Sequence, residues 1–206
     1  MSLYELLKSR RMVRHYTPER IPHDVLERIA GTVRRAPSAG FSQGQRLLVV
    51  DDPRLLAELA NDEERDAGPE APEAWFPSAA AHVLVLTREQ DYHDRYTRSD
   101  KLETTGGSEI VWPVPYWHVD AGAALMLVLR AALEEGLAAA VYGIQLDDQP
   151  RWRGLLGIPD ELAIVAGVTL GHAAPDPEWS KRTSRATQRR RTLDELVRWN
   201  RWDRVD

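Results

Sequence analysis

The sequence predicts an α+β fold, on three observations. Short runs of buried-strand character, Leu47 to Val50, Ala81 to Thr87 (AHVLVLT), Ala138 to Val141 and Glu161 to Leu170 (ELAIVAGVTL), are interspersed with segments of helical periodicity. Their order lacks the strict strand-helix-strand repetition of a parallel sheet. One stretch, residues 116 to 135, is rich in Ala and Leu on every side and ends on Gly136, which predicts a long, central and largely buried helix.

The remaining elements follow in chain order. Ser2-x-x-Glu5 is a capping box ahead of Leu3, Leu6 and Leu7, so a short helix opens the chain and ends near Ser9. Pro22 stands where a second helix starts, and Val25, Leu26, Ile29, Ala30 and Val33 recur at helical spacing until Pro37. Pro53 to Ala60 reads as a short helix, and another lies around Arg151 to Leu156. Asp51 to Glu73 holds nine acids against two arginines, the pattern of a solvated helix end and loop. Between Arg88 and Pro115 runs a polar stretch with Tyr92, Tyr96, Thr104-Thr105-Gly106-Gly107 and Trp112, too long for a connector and expected to be a mobile, lid-like insertion.

Composition bounds the chemistry. With 206 residues, 43% of them hydrophobic, the chain fits a single domain with a sizeable core, and no apolar run reaches the ~20 residues that span a bilayer. The N-terminus shows no signal-peptide pattern, so a cytoplasmic location is the expectation. Cysteine is absent, which excludes disulfides, iron-sulfur clusters and thiol nucleophiles; redox chemistry would need a bound cofactor. The six histidines are scattered without His-x-x-x-His spacing, and no metal site is expected. The net charge of -5 is uneven, with nine Lys or Arg against four acids in residues 181 to 206 and an acidic remainder. A basic tail of this kind could meet nucleic acid, an internal phosphate or an acidic partner subunit.

Gly40-Phe41-Ser42-Gln43-Gly44 matches the G-x-S-x-G elbow of hydrolases, but that elbow needs a strand before it and a helix after it, and here the order is reversed. Neither G-x-G-x-x-G after a strand nor a P-loop occurs, so a nicotinamide cofactor would have no dedicated domain. Two arginine groups, Arg10-Arg11 with Arg14 and Arg189-Arg190-Arg191, stand at opposite ends of the chain. Guanidinium forks from remote segments suit a phosphate site, although a charge run is more often a solvated face.

Taken together, Ser9-Arg10-Arg11-Met12-Val13-Arg14-His15-Tyr16, Ile21-Pro22, Ala36-Pro37-Ser38-Ala39-Gly40, Val119-Asp120 to Gly136-Leu137 and Arg190-Arg191-Thr192-Leu193-Asp194-Glu195-Leu196-Val197 resemble, in order and spacing, the nitroreductase-like flavoproteins. The resemblance implies a central, mainly antiparallel sheet flanked by helices, and an interlocked homodimer with FMN in each of two interface clefts. It implies that Arg10, Arg11 and Arg14 hold the phosphate and ribityl chain, with Met12 at a backbone contact, and that Arg190 and Arg191 complete the phosphate clamp. Pro37, Ser38, Ala39 and Gly40 would approach the flavin from the other subunit, and Gly143 and Ile144 would turn backbone N–H groups towards its ring.

The activity implied is ping-pong transfer of electrons from NAD(P)H to a small electron-poor aromatic acceptor such as a nitroaromatic or quinone, with no nucleic-acid or membrane partner. Met12, Phe41 and Gly44-Gln45 depart from the family's common residues. Gly40-Phe41 resembles the dimethylbenzimidazole synthase branch, which fragments its own flavin, so that reaction and non-catalytic flavin binding stand as alternatives. Asp120 reads as a polar helix residue, Trp112, Tyr116 and Trp117 read as packing, and no catalytic proton donor is singled out.

Overall fold

The predicted strands pair into one antiparallel sheet in the computed structural model, which describes residues 3–60, 76–175 and 189–202. Strands β1 (Gln45–Val50), β2 (Ala81–Thr87), β3 (Ala138–Tyr142) and β4 (Ala163–Gly171) lie in the order β1-β2-β4-β3. The register sets Leu48 opposite Leu84, Leu84 opposite Gly167 and Val141 opposite Val168, with an irregularity in β2 between Val85 and Leu86.

Residue alternation along the strands sorts the core onto two faces. Ala81, Val83, Val168 and Leu170 point to one side, where Leu26 and Ile29 of α2 (His23–Gly31) and Val128, Leu129 and Ala132 of α6 (Tyr116–Glu134) cover them. Leu84 and Leu86 point to the other, against Leu56 and Leu59 of α3 (Pro53–Leu59), Phe76, and Trp152 of α7 (Gln149–Leu156). Every residue of β2 is buried, as its unbroken apolar run requires of a strand covered on both faces.

Local chemistry sets the element ends. Pro53 occupies the first turn of α3, and the Asp52 side chain accepts from the Arg54 backbone N–H at 2.8 Å. Gly136, with φ +76°, follows α6 and lets the Leu137 N–H reach back to the Ala132 carbonyl at 2.8 Å. The second predicted helix divides into α2 and a 3-10 turn over Thr32–Arg35. Helix α1 covers Leu3–Ser9; its expected cap, Ser2, lies outside the described residues, as do residues 61–73 of the acidic stretch Asp51 to Glu73.

Residues 88–115, where a mobile, lid-like insertion is expected, carry α4 (Gln90–Tyr96) and α5 (Ser99–Thr105); Tyr92 is fully buried, and the Trp112 ring meets those of Tyr92, His93, Tyr96, Tyr116 and Trp117. Helix α6 is largely buried, as expected, with Val119 and Met126 exposed on its outer face.

The chain divides into two compact units, residues 1–174 and 175–206. In the second, α8 (Leu193–Leu196) is capped by the Thr192–Glu195 box, and Glu195 forms a two-pronged ion pair with Arg189 at 2.7 and 2.9 Å. Arg189 and the Thr192 backbone hold the Glu195 carboxyl down at about 2. Among the described residues no helix is long and apolar enough to cross a membrane.

Candidate functional site

The N-terminal arginines are positioned by the backbone that follows them. The Val13 N–H donates to the Ala139 carbonyl at 3.0 Å, so the segment runs along β3, which would otherwise be an open sheet edge. Tyr16 bolts it down: its hydroxyl donates to the Val13 carbonyl at 2.6 Å and lies 2.7 Å from Thr169 Oγ1. Its ring occupies the space that a Cβ at Gly171 would need, 2.6 Å from the nearest ring carbon. Burial pushes the Tyr16 hydroxyl up to about 12, so it stays a donor at any physiological pH.

Arg10 and Arg11 line a cavity of about 180 Å³ with Leu129, Leu133, Gly136 and Ala139, at the C-terminal end of α6. The helix dipole there favours cations, so attraction for an anion must come from the guanidinium groups themselves. Arg10 Nη1 is shielded from solvent and has no hydrogen-bond partner. A buried, unmatched charged donor is costly, and a phosphate oxygen is the kind of group that would satisfy it. Met12 and the side chains of Arg11 and Arg14 are exposed.

The second group, Pro37 to Gly40, forms a tight turn ahead of β1. The Ala39 N–H donates to Asp120 Oδ2 at 2.8 Å, and the Tyr92 hydroxyl donates to the same oxygen at 2.8 Å. Arg95 Nε donates to the Gly40 carbonyl at 2.8 Å while its other nitrogens grip Asp100. Gln45 Nε2 donates to the Pro37 carbonyl at 2.8 Å, and Ser38 Oγ accepts from the Gln43 N–H at 2.9 Å. Burial first, then the neighbouring Asp120, pushes the Tyr92 hydroxyl above its ordinary range and keeps it protonated.

Asp120 is therefore more than a polar helix residue: it is buried and ties α6 to both α4 and the turn. The available signal was an acid near the start of a mainly apolar helical stretch; its partners stand 28 and 81 positions away.

Gly143 and Ile144 follow the end of β3. The Ile144 side chain packs with the core beneath the sheet, whereas Gly143 is exposed, has an ordinary φ, and would project a Cβ into open space. Nothing within the described chain demands glycine there, which leaves room for another molecule to approach the main chain. The preceding residue, Tyr142, is fixed by His82: Nδ1 lies 2.9 Å from the Tyr142 hydroxyl and Nε2 lies 3.1 Å from the Phe76 carbonyl. A carbonyl accepts only, so Nε2 carries the proton and Nδ1 accepts from tyrosine. Burial holds the imidazole down to about 4, hence neutral.

Arg190 and Arg191 lie in the second unit with exposed side chains, and it is Arg189 that takes Glu195. Within the first unit the predicted groups are not all brought together. Asp120, which holds Ala39, and Leu129 to Leu133, which flank Arg10, are nine to thirteen residues apart on α6, or roughly 13 to 20 Å along the helix. Among the described residues no three metal-ligating side chains converge.

Comparison with known proteins agrees with this architecture. The chain is 25% identical over 177 residues, 85% of its own length and 87% of the other's, to an Archaeoglobus fulgidus protein named as an NADH dehydrogenase/NAD(P)H nitroreductase. It is 43% identical over 61 residues, 29% of this chain and 30% of the other, to 5,6-dimethylbenzimidazole synthase of Rhodobacter capsulatus. A Desulfovibrio desulfuricans crystal structure, described as a nitroreductase in complex with FMN, superposes with a TM-score of 0.68 at 21% identity over 98% of this chain and 99% of that one. The family model for nitroreductases matches residues 7–172, from the last residues of α1 through the sheet to the end of β4, and the chain accordingly belongs to the nitroreductase family.

Proposed function

We propose that this protein is an FMN-dependent oxidoreductase that takes electrons from NAD(P)H and passes them to an electron-poor aromatic acceptor of the nitroaromatic or quinone type. The observation that carries the cofactor assignment is the buried, partnerless Arg10 nitrogen beside a cavity at the end of the sheet. When bound, FMN would supply the redox chemistry that carries electrons between the nicotinamide and the acceptor.

The chain's own residues anchor and orient. Arg10, Arg11 and Arg14 hold the phosphate end, with Met12 contributing main chain and Arg190 and Arg191 closing the clamp. Gly143 and Ile144 present main-chain donors about four strand residues further along β3 from Ala139, roughly 13 Å, which suits a phosphate at one end and a ring at the other. Pro37 to Gly40 cannot reach the Arg10 cavity of their own unit along α6, so in this reading they serve the cleft of a second copy. The exposed Val119 and Met126 face of α6 supports such a homodimer, since a helix apolar all round needs covering on both sides. The protein works as a cytoplasmic enzyme, without nucleic-acid or membrane partners.

Replacing Arg10 and Arg190 together by Ala tests the site: the purified double variant should lose most of its FMN, and unchanged flavin content would refute the assignment. A second reading, fragmentation of reduced flavin by oxygen, draws on Gly40-Phe41 and the local 43% identity to dimethylbenzimidazole synthase. Reduced FMN incubated with protein and oxygen would then yield new aromatic products by mass spectrometry; recovery of intact FMN rules it out.

A further inference from the structure

The turn from Ser38 to Gln43 is held in a conformation that its residues do not favour. Gly40, Phe41 and Gln43 have φ of +60°, +62° and +55°, and two of the three carry side chains that rarely adopt this region. Such backbone persists only where the surroundings over-determine it. Here they do: Asp120 takes the Ala39 N–H, Arg95 Nε donates to the Gly40 carbonyl, Ser42 Oγ donates to the Ala39 carbonyl at 2.6 Å and Arg46 Nη1 to the Gln43 carbonyl at 2.6 Å. The Tyr96 ring fills the space beside Gly40, where a Cβ would lie 2.6 Å from it.

All this rigidity does not bury the residue at its centre. The Phe41 side chain is 72% exposed and borders an open cleft of about 570 Å³ shared with Ser42, Asp94, Arg95 and Arg98. Strained, multiply anchored backbone of this kind is costly to the protein alone and concentrates where a ligand is met, and this turn holds a large aromatic ring at the cleft.

We infer that Phe41 is a specificity-determining residue: its preorganised ring forms one wall of the acceptor site and selects planar aromatic acceptors by stacking. The inference rests on the proposed function for the existence of an acceptor, and adds the residue that chooses it. An aromatic pair gains from offset stacking beyond its buried area, and a ring already fixed by its backbone loses little freedom on binding.

The test uses oxidised, FMN-loaded protein without any electron donor. 4-Nitrobenzoate is titrated calorimetrically into wild type, Phe41→Gly, Phe41→Leu and Phe41→Trp, with FMN content and Tm measured on each. Phe41→Gly should bind the probe about tenfold more weakly, Phe41→Trp should stay within about twofold of wild type, and Phe41→Leu should fall between them. Because glycine accepts a positive φ, the Tm of Phe41→Gly should rise by about 2 °C as its affinity falls. A role confined to folding or dimer packing would instead lower Tm or dissociate the dimer on a sizing column, and either result overturns the inference. So does wild-type affinity in Phe41→Gly, or wild-type protein that carries FMN but does not bind the probe; the cofactor assignment then survives. Wild-type protein that takes up no FMN refutes the functional reading and this inference with it.

Discussion

The backbone nitrogen of Ala39 lies 2.8 Å from Oδ2 of Asp120, a carboxylate oxygen that also receives the Tyr92 hydroxyl. One buried acid in α6 thereby fixes the approach of the Pro37–Gly40 turn and the docking of α4. Replacing Asp120 by Ala leaves two donors unsatisfied in a site that water does not readily reach. The expected cost is about 2 kcal/mol in urea unfolding, and Asp120→Asn, which keeps one acceptor oxygen, should cost less. Equal stability of Asp120→Ala and wild type would remove Asp120 from this role.

Gly167 in β4 faces the Tyr142 ring, and a Cβ there would overlap it. Gly167→Ala should destabilise the protein by about 2 kcal/mol or more, because Tyr142 is also held by His82 and cannot swing clear without losing that hydrogen bond. In a Tyr142→Ala background the same change should cost much less. Strict additivity in this double-mutant cycle would show that the ring is not what excludes the side chain.

His82 makes the fold acid-sensitive. Its folded pKa, about 4, lies below the ~6.5 of an unfolded histidine, so the unfolded chain takes up the proton first as pH falls. The stability associated with neutral His82 is complete above about pH 6.5 and is lost on going down to about pH 4, amounting to about 3 kcal/mol. Chemical denaturation across this range should show the loss in wild type, and His82→Phe should flatten it. A profile identical in the variant would assign the acid sensitivity elsewhere.

His93 has the opposite sign. Glu109, 2.6 Å from its Nδ1, is the main cause of a raised pKa, with Glu89 assisting at 3.4 Å from Nε2. Glu109 also accepts from Trp112 Nε1 at 2.7 Å, so it joins α4 to the chain beyond α5. The ion pair is fully present below the unfolded value near 6.5 and fades as pH rises through the higher folded value. Histidine NMR should place the His93 midpoint above 6.5, and Glu109→Gln should bring it down. A midpoint at or below 6.5 in wild type would contradict the pairing.

Much of this was legible in the sequence because it follows from local pattern. The run AHVLVLT could be little other than a covered strand, Gly136 marked the end of α6, and the order of helix, Gly-rich turn and strand around Ser42 argued against a hydrolase elbow; the structure has a 3-10 turn over Ala39–Phe41 leading into β1. What was missed depends on long-range partners. QDYHDRY and SDKLETT hide two helices because Tyr92 alone among those fourteen residues is buried, and the cluster that holds the first of them is assembled from Trp112, Tyr116 and Trp117 further along. The strain at Phe41 left no trace in composition, since it is imposed by Asp120, Arg95 and Tyr96.

The most direct test of the proposed function is an anaerobic absorption spectrum of the purified protein, reconstituted with FMN if necessary, before and after NADH or NADPH. The proposed function predicts a yellow protein that bleaches on adding either nucleotide and recovers its colour when a quinone or nitroaromatic is added. A protein that cannot take up FMN, or whose flavin is reduced by dithionite but by neither nucleotide, would contradict it.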